Sequence, residues 1–220
     1  MSDLASTFFA VYAALLPIVN PLGLAPVFLS MTRHYSPAAR HAAAWRVAVN
    51  GFLLLLGSLF VGSHILEFFG ITLPVVRVAG GLVVTAMGWR LLNQGDDVER
   101  RKGIDAATDK AVLNEAFYPL TMPLTVGPGS ITVAITLGSK RPVMPPDATH
   151  LALIGAAAIA GLFAIAATVF ICYRFAENLE RLLGETGTNV FVRLSAFILL
   201  CIGIEILWSG VSALMGIATP

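Results

Sequence analysis

Charge is what this chain lacks most. Of its 220 residues only 12% are Asp, Glu, Lys or Arg, against 57% apolar, and a soluble domain carries about twice that charged share. A mean hydropathy of +0.82 fits a chain that lies mostly in lipid. Cysteine is nearly absent: Cys172 and Cys201 are the only two. Both stand in apolar runs, so a disulfide framework is excluded and both are expected to be small core residues. The four histidines, His34, His41, His64 and His150, form no metal-ligand spacing, and no Gly-rich phosphate loop ending in Lys-Ser/Thr occurs. A net charge of +1, with no basic stripe interleaved with aromatics, gives no reason to expect nucleic acid. No nucleophile–base pair is visible, so the chain is expected not to be an enzyme and to take no cofactor. The opening MSDLASTFF holds an Asp and no Lys or Arg, which argues for a first helix that is retained and not cleaved as a signal.

What fills the chain is apolar length. Charge-free runs extend from Leu4 to Thr32, Val47 to Leu66, Ala116 to Ser139 and Leu151 to Tyr173, each at or above the ~18–20 residues that cross hydrocarbon. Two weaker runs complete the set: Ile71 to Leu92, with Arg77 and Arg90 near its ends, and Asn189 to Ile217, with Arg193 and Glu205. The reading is an all-α membrane protein of six transmembrane helices. Arg33, Arg40, Arg46, Arg90, Arg100, Arg101, Lys102, Lys110, Arg174, Arg181 and Arg193 fall on one set of alternate loops, while the other side holds only Arg77, Lys140 and Arg141. The positive-inside rule then predicts an inner-membrane protein with both termini on the non-cytoplasmic side.

The one strongly polar stretch divides the chain into residues 1–93, a cytoplasmic linker over 94–112, and residues 113–220. Each outer part carries three helices. Because three is odd, the second part crosses the membrane in the opposite sense to the first, so any repeat between them is inverted. Gly80-Gly81 and the Ala156, Ala160, Ala164 ladder with Gly161 are read as close-packing faces.

A proline pattern marks that repeat. Pro17, Pro21 and Pro26 in LLPIVNPLGLAP recur with the same spacing as Pro119, Pro123 and Pro128 in FYPLTMPLTVGP. Proline lacks the N–H and clashes with the preceding turn, a cost of roughly 3 kcal/mol inside a helix. In lipid, interrupted backbone survives only where protein or a polar cavity covers it. Two interruptions at matching places in two halves are the pointer to a transporter's central site. Candidate binding residues are Asn20, Pro21, Gly23 and Pro26 at the first, and Thr121, Pro123, Thr125, Gly127, Pro128, Gly129 and Ser130 at the second. Glycine permits turning and close approach, while Asn, Thr and Ser supply neutral donors and acceptors. Half-helix N-termini suit a carboxylate and freed carbonyls suit an ammonium, so a small zwitterion fits. Glu205, the one acidic residue well inside a span, is a candidate proton carrier or a residue at a contact between protomers. Arg77 and Arg193, in VVRVAGGL and FVRLSAFI, either snorkel or act in coupling or gating by capping broken-helix carbonyls or reaching a carboxylate. Asn50, beside Gly51, is a further polar candidate.

PIVNPLGLAPVF and PLTMPLTVGPGSI, with the VRVAGG opening of the third helix, resemble the paired signatures of the MarC family of six-helix membrane proteins, also described as a neutral amino acid transporter family. The likeness extends over nearly the whole chain. It implies two inverted three-helix repeats with the first and fourth helices interrupted, and secondary transport of small neutral amino acids such as glycine and alanine, coupled to a proton or sodium gradient or working as export. Two positions depart from the family pattern: Asn20, where Asp is frequent, and Glu205, where a neutral residue is common. The expected partners are thus a small-molecule substrate, the lipid bilayer and a second copy in a homo-oligomer. The alternatives are a channel for a small neutral solute or ion, and a membrane scaffold without transport.

Overall fold

The computed structural model describes residues 2–93, 115–139 and 148–217; the polar linker and Lys140-Arg141 lie outside them. All regular structure among the described residues is helical. The elements are α1 (Ser2–Val19), α2 (Pro21–Thr32), α3 (Pro37–Phe68), α4 (Leu73–Asn93), a π-helical segment (Ala116–Thr125), α5 (Pro128–Gly138), α6 (Ala148–Arg174) and α7 (Ala176–Met215). Four stretches are long and apolar enough to cross a membrane alone: Pro37–Phe68, Leu73–Asn93, Thr149–Arg174 and Thr186–Met215. The other two candidates are bent pairs, α1 with α2 at 42° and the π-helical segment with α5 at 69°, which gives four to six spans.

Local chemistry sets the boundaries. Ser36 caps α3, its hydroxyl accepting from the Ala39 N–H at 3.2 Å, and Pro37 fills the first helical position, where no N–H is needed. Gly184, at φ 67°, interrupts α7, and this left-handed backbone separates a polar first part from the apolar span that follows.

Packing runs between distant parts of the chain. α4 lies against α7, α3 against α6, α1 against α6, α2 against α7, and α5 against both α3 and α4. The α4–α7 contact is backbone on backbone and antiparallel. A Cβ at Gly88 would stand 2.7 Å from the Leu200 nitrogen, one at Gly203 2.5 Å from the Thr85 nitrogen, and one at Gly210 2.8 Å from the Val78 nitrogen. Gly81 meets Leu207 in the same way. Small residues thus bring two membrane helices to van der Waals contact along a seam, where lipid offers no hydrophobic drive of its own.

Two expectations about faces change. Of the alanine ladder on α6, Ala156 and Ala160 are exposed and Ala164 half-buried, whereas Gly161 is buried against Val11 of α1. Cys201 is exposed on α7 and so is not a core residue, whereas Cys172 is half-buried and packs against the core. A helix that is apolar all round carries no stripe to show which face turns inward, and packing alone chooses it.

Candidate functional site

The first break is a single residue. Asn20 sits in left-handed backbone at φ 45°, ψ 54°, between α1 and α2. Its N–H still donates to the Leu16 carbonyl at 2.9 Å and its carbonyl accepts from Leu24 at 3.0 Å. Its side-chain oxygen accepts from the Gly23 N–H at 3.2 Å. Pro21 opens α2 as the first helical residue, and having no N–H it leaves the Pro17 carbonyl without the donor a continuous helix would supply. Pro26, inside α2, does the same to Leu22. The Asn20 amide nitrogen is shut off from solvent with no acceptor among the described residues.

The second break is built differently. Tyr118 and Met122, each preceding a proline, take extended backbone (φ −125°, ψ 123° and φ −114°, ψ 124°), the conformation that a following proline imposes. The chain is extended again at Gly127 (φ −96°, ψ 177°), and α5 restarts at Pro128. The restart therefore falls at the third proline of the second motif but at the middle proline of the first, so equal spacing in sequence does not put the prolines in equal roles. Gly127 offers no side-chain cap, and the N–H groups of Gly129 and Ser130, in the first turn, have no intrahelical acceptor.

Hydroxyls satisfy much of the freed backbone here. Thr121 donates to the Ala116 carbonyl at 2.6 Å, Thr125 to Leu120 at 2.7 Å and Ser130 to Gly127 at 2.9 Å. All three are buried, while Pro123 and Pro128 face outward. Gly23 and Gly129 serve close approach: a Cβ at Gly23 would stand 2.5 Å from the Ser195 Cβ on α7, and one at Gly129 would overlap the Val84 side chain on α4.

The two breaks meet. Val19, which precedes Asn20, and Val126, which precedes Gly127, line one small cavity with Thr125, with Val47, Gly51 and Leu55 of α3, and with Ile165 and Val169 of α6. Its free volume is about 10 Å³, room for one water. Tyr173, 1% exposed, closes one side of this region: its hydroxyl lies 2.9 Å from the Thr125 hydroxyl and its ring stacks on Phe28 of α2 at 4.3 Å between centroids. One side chain thereby touches both broken elements. Nothing in the proline motifs pointed to it; the signal available was a tyrosine ending an otherwise apolar run.

The three charged candidates are not among the residues lining the cavity. Glu205 and Arg193 are exposed on α7, and Arg77 is half-buried near the start of α4. Asn50 is half-buried, next to the cavity-lining Gly51. A charged cluster forms instead at the helix ends beyond α2. Arg40, 6% exposed, donates to the carbonyls of Thr32 (3.4 Å) and Tyr35 (3.3 Å) and pairs with Glu177 of α7. Arg33 pairs with Glu180 at 2.5 Å. The hydrogen bond from Arg40, then its charge, holds the Glu177 carboxyl below the usual carboxylate range. Burial, then the nearby Glu115, raises the Tyr35 phenol. Sequence reading took Arg40 as an ordinary loop cation, whereas it caps α2 and ties it to α7.

Comparison with known proteins agrees with this architecture. The chain is 30% identical to the UPF0056 membrane protein of Buchnera aphidicola subsp. Schizaphis graminum, over 95% of this chain and 93% of that one. It is also 30% identical to the UPF0056 inner membrane protein MarC of Salmonella typhimurium, over 96% of each, and 29% identical to its namesake in Escherichia coli, again over 96% of each. No solved structure matches. Its apolar helices and these relatives' names make it a multi-pass protein of the inner membrane. The model of the MarC family of integral membrane proteins matches residues 5–215, and with two interrupted helices built on its proline motifs the chain belongs to that family.

Proposed function

We propose that this protein is a secondary transporter of small neutral amino acids, of the glycine and alanine class, that binds its substrate between the two broken helices. The observation that carries the reading is the convergence of Val19 and Val126 on one cavity. Thr125 is the candidate residue that lines this cavity, and backbone groups elsewhere in the two breaks have the polarity a zwitterion needs. The N–H groups at the start of α5 suit a carboxylate, and the Pro17 and Leu22 carbonyls, which lose their helical donors to Pro21 and Pro26, suit an ammonium. The unpartnered Asn20 amide supplies one more donor.

Two inverted three-helix repeats are supported by the pattern of packing. Exchanging α1 with the π-helical segment, α2 with α5, α3 with α6 and α4 with α7 turns each main contact into another. The α2–α7 contact becomes α5–α4, α1–α6 becomes the π-helical segment on α3, and α2–α6 becomes α5–α3. The α3–α6 and α4–α7 contacts map onto themselves. A cavity of about 10 Å³ is too small for an amino acid, so on this reading the site is closed here and opens to load. That favours a carrier over an open pore.

The test is counterflow of labelled glycine and alanine into proteoliposomes, with and without proton or sodium gradients, for the wild type and Asn20→Gly. Saturable exchange that Asn20→Gly loses while staying folded is the expected result. Flux that does not saturate would move the assignment to a channel, and normal exchange by the variant would place the site elsewhere.

A further inference from the structure

α7 presents a broad exposed face to the membrane: Val190, Leu194, Phe197, Ile198, Ile204 and Trp208. Glu205 interrupts it, also exposed. Its depth follows from the α4–α7 seam. Gly203 lies against Thr85 and Gly81 against Leu207, so Glu205, between those contacts, is level with the middle of α4. The 21 residues of α4 rise about 1.5 Å each, close to the ~30 Å hydrocarbon thickness. Glu205 therefore stands near the bilayer midplane, on an outward face. Among the described residues it has no hydrogen bond or ion pair. Acyl chains offer none, and a carboxyl group at that depth is costly whether charged or neutral unless protein covers it.

We propose that this face of α7 is the contact between two copies of the chain, with Glu205 at its centre. Copies inserted in the same orientation and related by an axis along the membrane normal bring Glu205 to Glu205 at one depth. There the two carboxyl groups come within hydrogen-bonding reach of each other. Trp208, three residues on and exposed on the same side, supplies an indole N–H as a second donor. A protein of other sequence has to bring a polar group to the same depth independently, whereas a second copy does so by symmetry. The rest of the face is apolar from Leu194 to Ile204, so the carboxyl pair is the single polar point that fixes the register, as one buried polar residue does in a coiled coil. This inference does not depend on what the protein transports.

Cys201, one turn from Glu205 and exposed, provides the probe. Copper phenanthroline with air oxygen, which drives disulfide formation between thiols inside the bilayer, should link the wild type and Cys172→Ser into a band of twice the monomer mass, and should fail to link Cys201→Ser. Single-molecule photobleaching in liposomes at falling protein-to-lipid ratio should show Glu205→Leu dissociating at a density at least fivefold higher than wild type, with Glu205→Gln close to wild type. Single-step bleaching of the wild type at every density would overturn the proposal. So would dimers indifferent to Glu205→Leu, or a Cys201-dependent band that contains a different protein.

Discussion

Tyr173 donates its hydroxyl proton to Thr125 across 2.9 Å of buried core, since Thr125 already gives its own proton to the Leu120 carbonyl. The aromatic ring lies on Phe28, so the side chain joins α6 to both interrupted elements. Tyr173→Phe keeps the stacking and loses one buried hydrogen bond, a destabilisation of about 1 kcal/mol. Tyr173→Ala also empties the ring's volume and should cost about 3–5 kcal/mol. Thermal unfolding in detergent distinguishes them; equal losses would mean that the ring does not wedge the two elements together.

Gly129 abuts Val84 with no space for a methyl group, and valine is stiff about its first side-chain torsion. Gly129→Ala is expected to cost about 1–3 kcal/mol through overpacking. Adding Val84→Ala should restore most of it. A double-mutant cycle with no coupling between the two positions would contradict the contact.

Asn20 combines left-handed backbone with a cap on Gly23. Replacement by Ala should cost about 1–2 kcal/mol for the lost cap, and it leaves in place the ~1–2 kcal/mol strain of a Cβ in that conformation, which asparagine already carries. Glycine relieves that strain, so Asn20→Gly should unfold at a clearly higher temperature than Asn20→Ala. The reverse order would mean that the backbone at residue 20 is not left-handed.

Glu177 gives a pH signature. Its carboxyl titrates below the ordinary value of 4.5 because Arg40 binds the ionised form. A depressed folded-state value means that the stabilisation is complete above the unfolded value and fades as pH falls through the folded one. The melting-temperature gap between wild type and Glu177→Gln should therefore be constant from neutral pH down to about 4.5 and close below it. Arg40→Ala should be worse than Glu177→Gln at neutral pH, since it also removes the guanidinium's bonds to the Tyr35 carbonyl and to the Thr32 carbonyl, which keeps only the Tyr35 N–H. A gap that widens in acid would contradict the pairing.

Apolar length and the proline motifs carried most of the fold into view, because hydrocarbon thickness and the missing proline N–H act on any chain in the same way. The first break was legible as a region around Asn20, Gly23 and the prolines; that it falls on Asn20 follows from Pro21 behind it and from asparagine's tolerance of left-handed backbone. The second falls differently. Met122, before the equivalent proline, has no side-chain oxygen to cap with, so it goes extended and the helix restarts only at Pro128. The outward turn of Glu205 and Ala160 was hidden for another reason: in a uniformly apolar helix the sequence has no contrast between faces. Tyr173 and Arg40 matter through residues distant in sequence, and no local pattern marks such partners.

The seam between α4 and α7 has a mechanical consequence. Two helices whose backbones touch at Gly81, Gly88, Gly203 and Gly210 have no layer of side chains on which to slide, so they act as a keel for the bundle. If the space beside Val19 and Val126 widens, the helices left to part are α3 and α6, which meet there through side chains around an existing gap and not backbone on backbone. Its halves are thus joined rigidly where α4 meets α7 and more loosely where α3 meets α6.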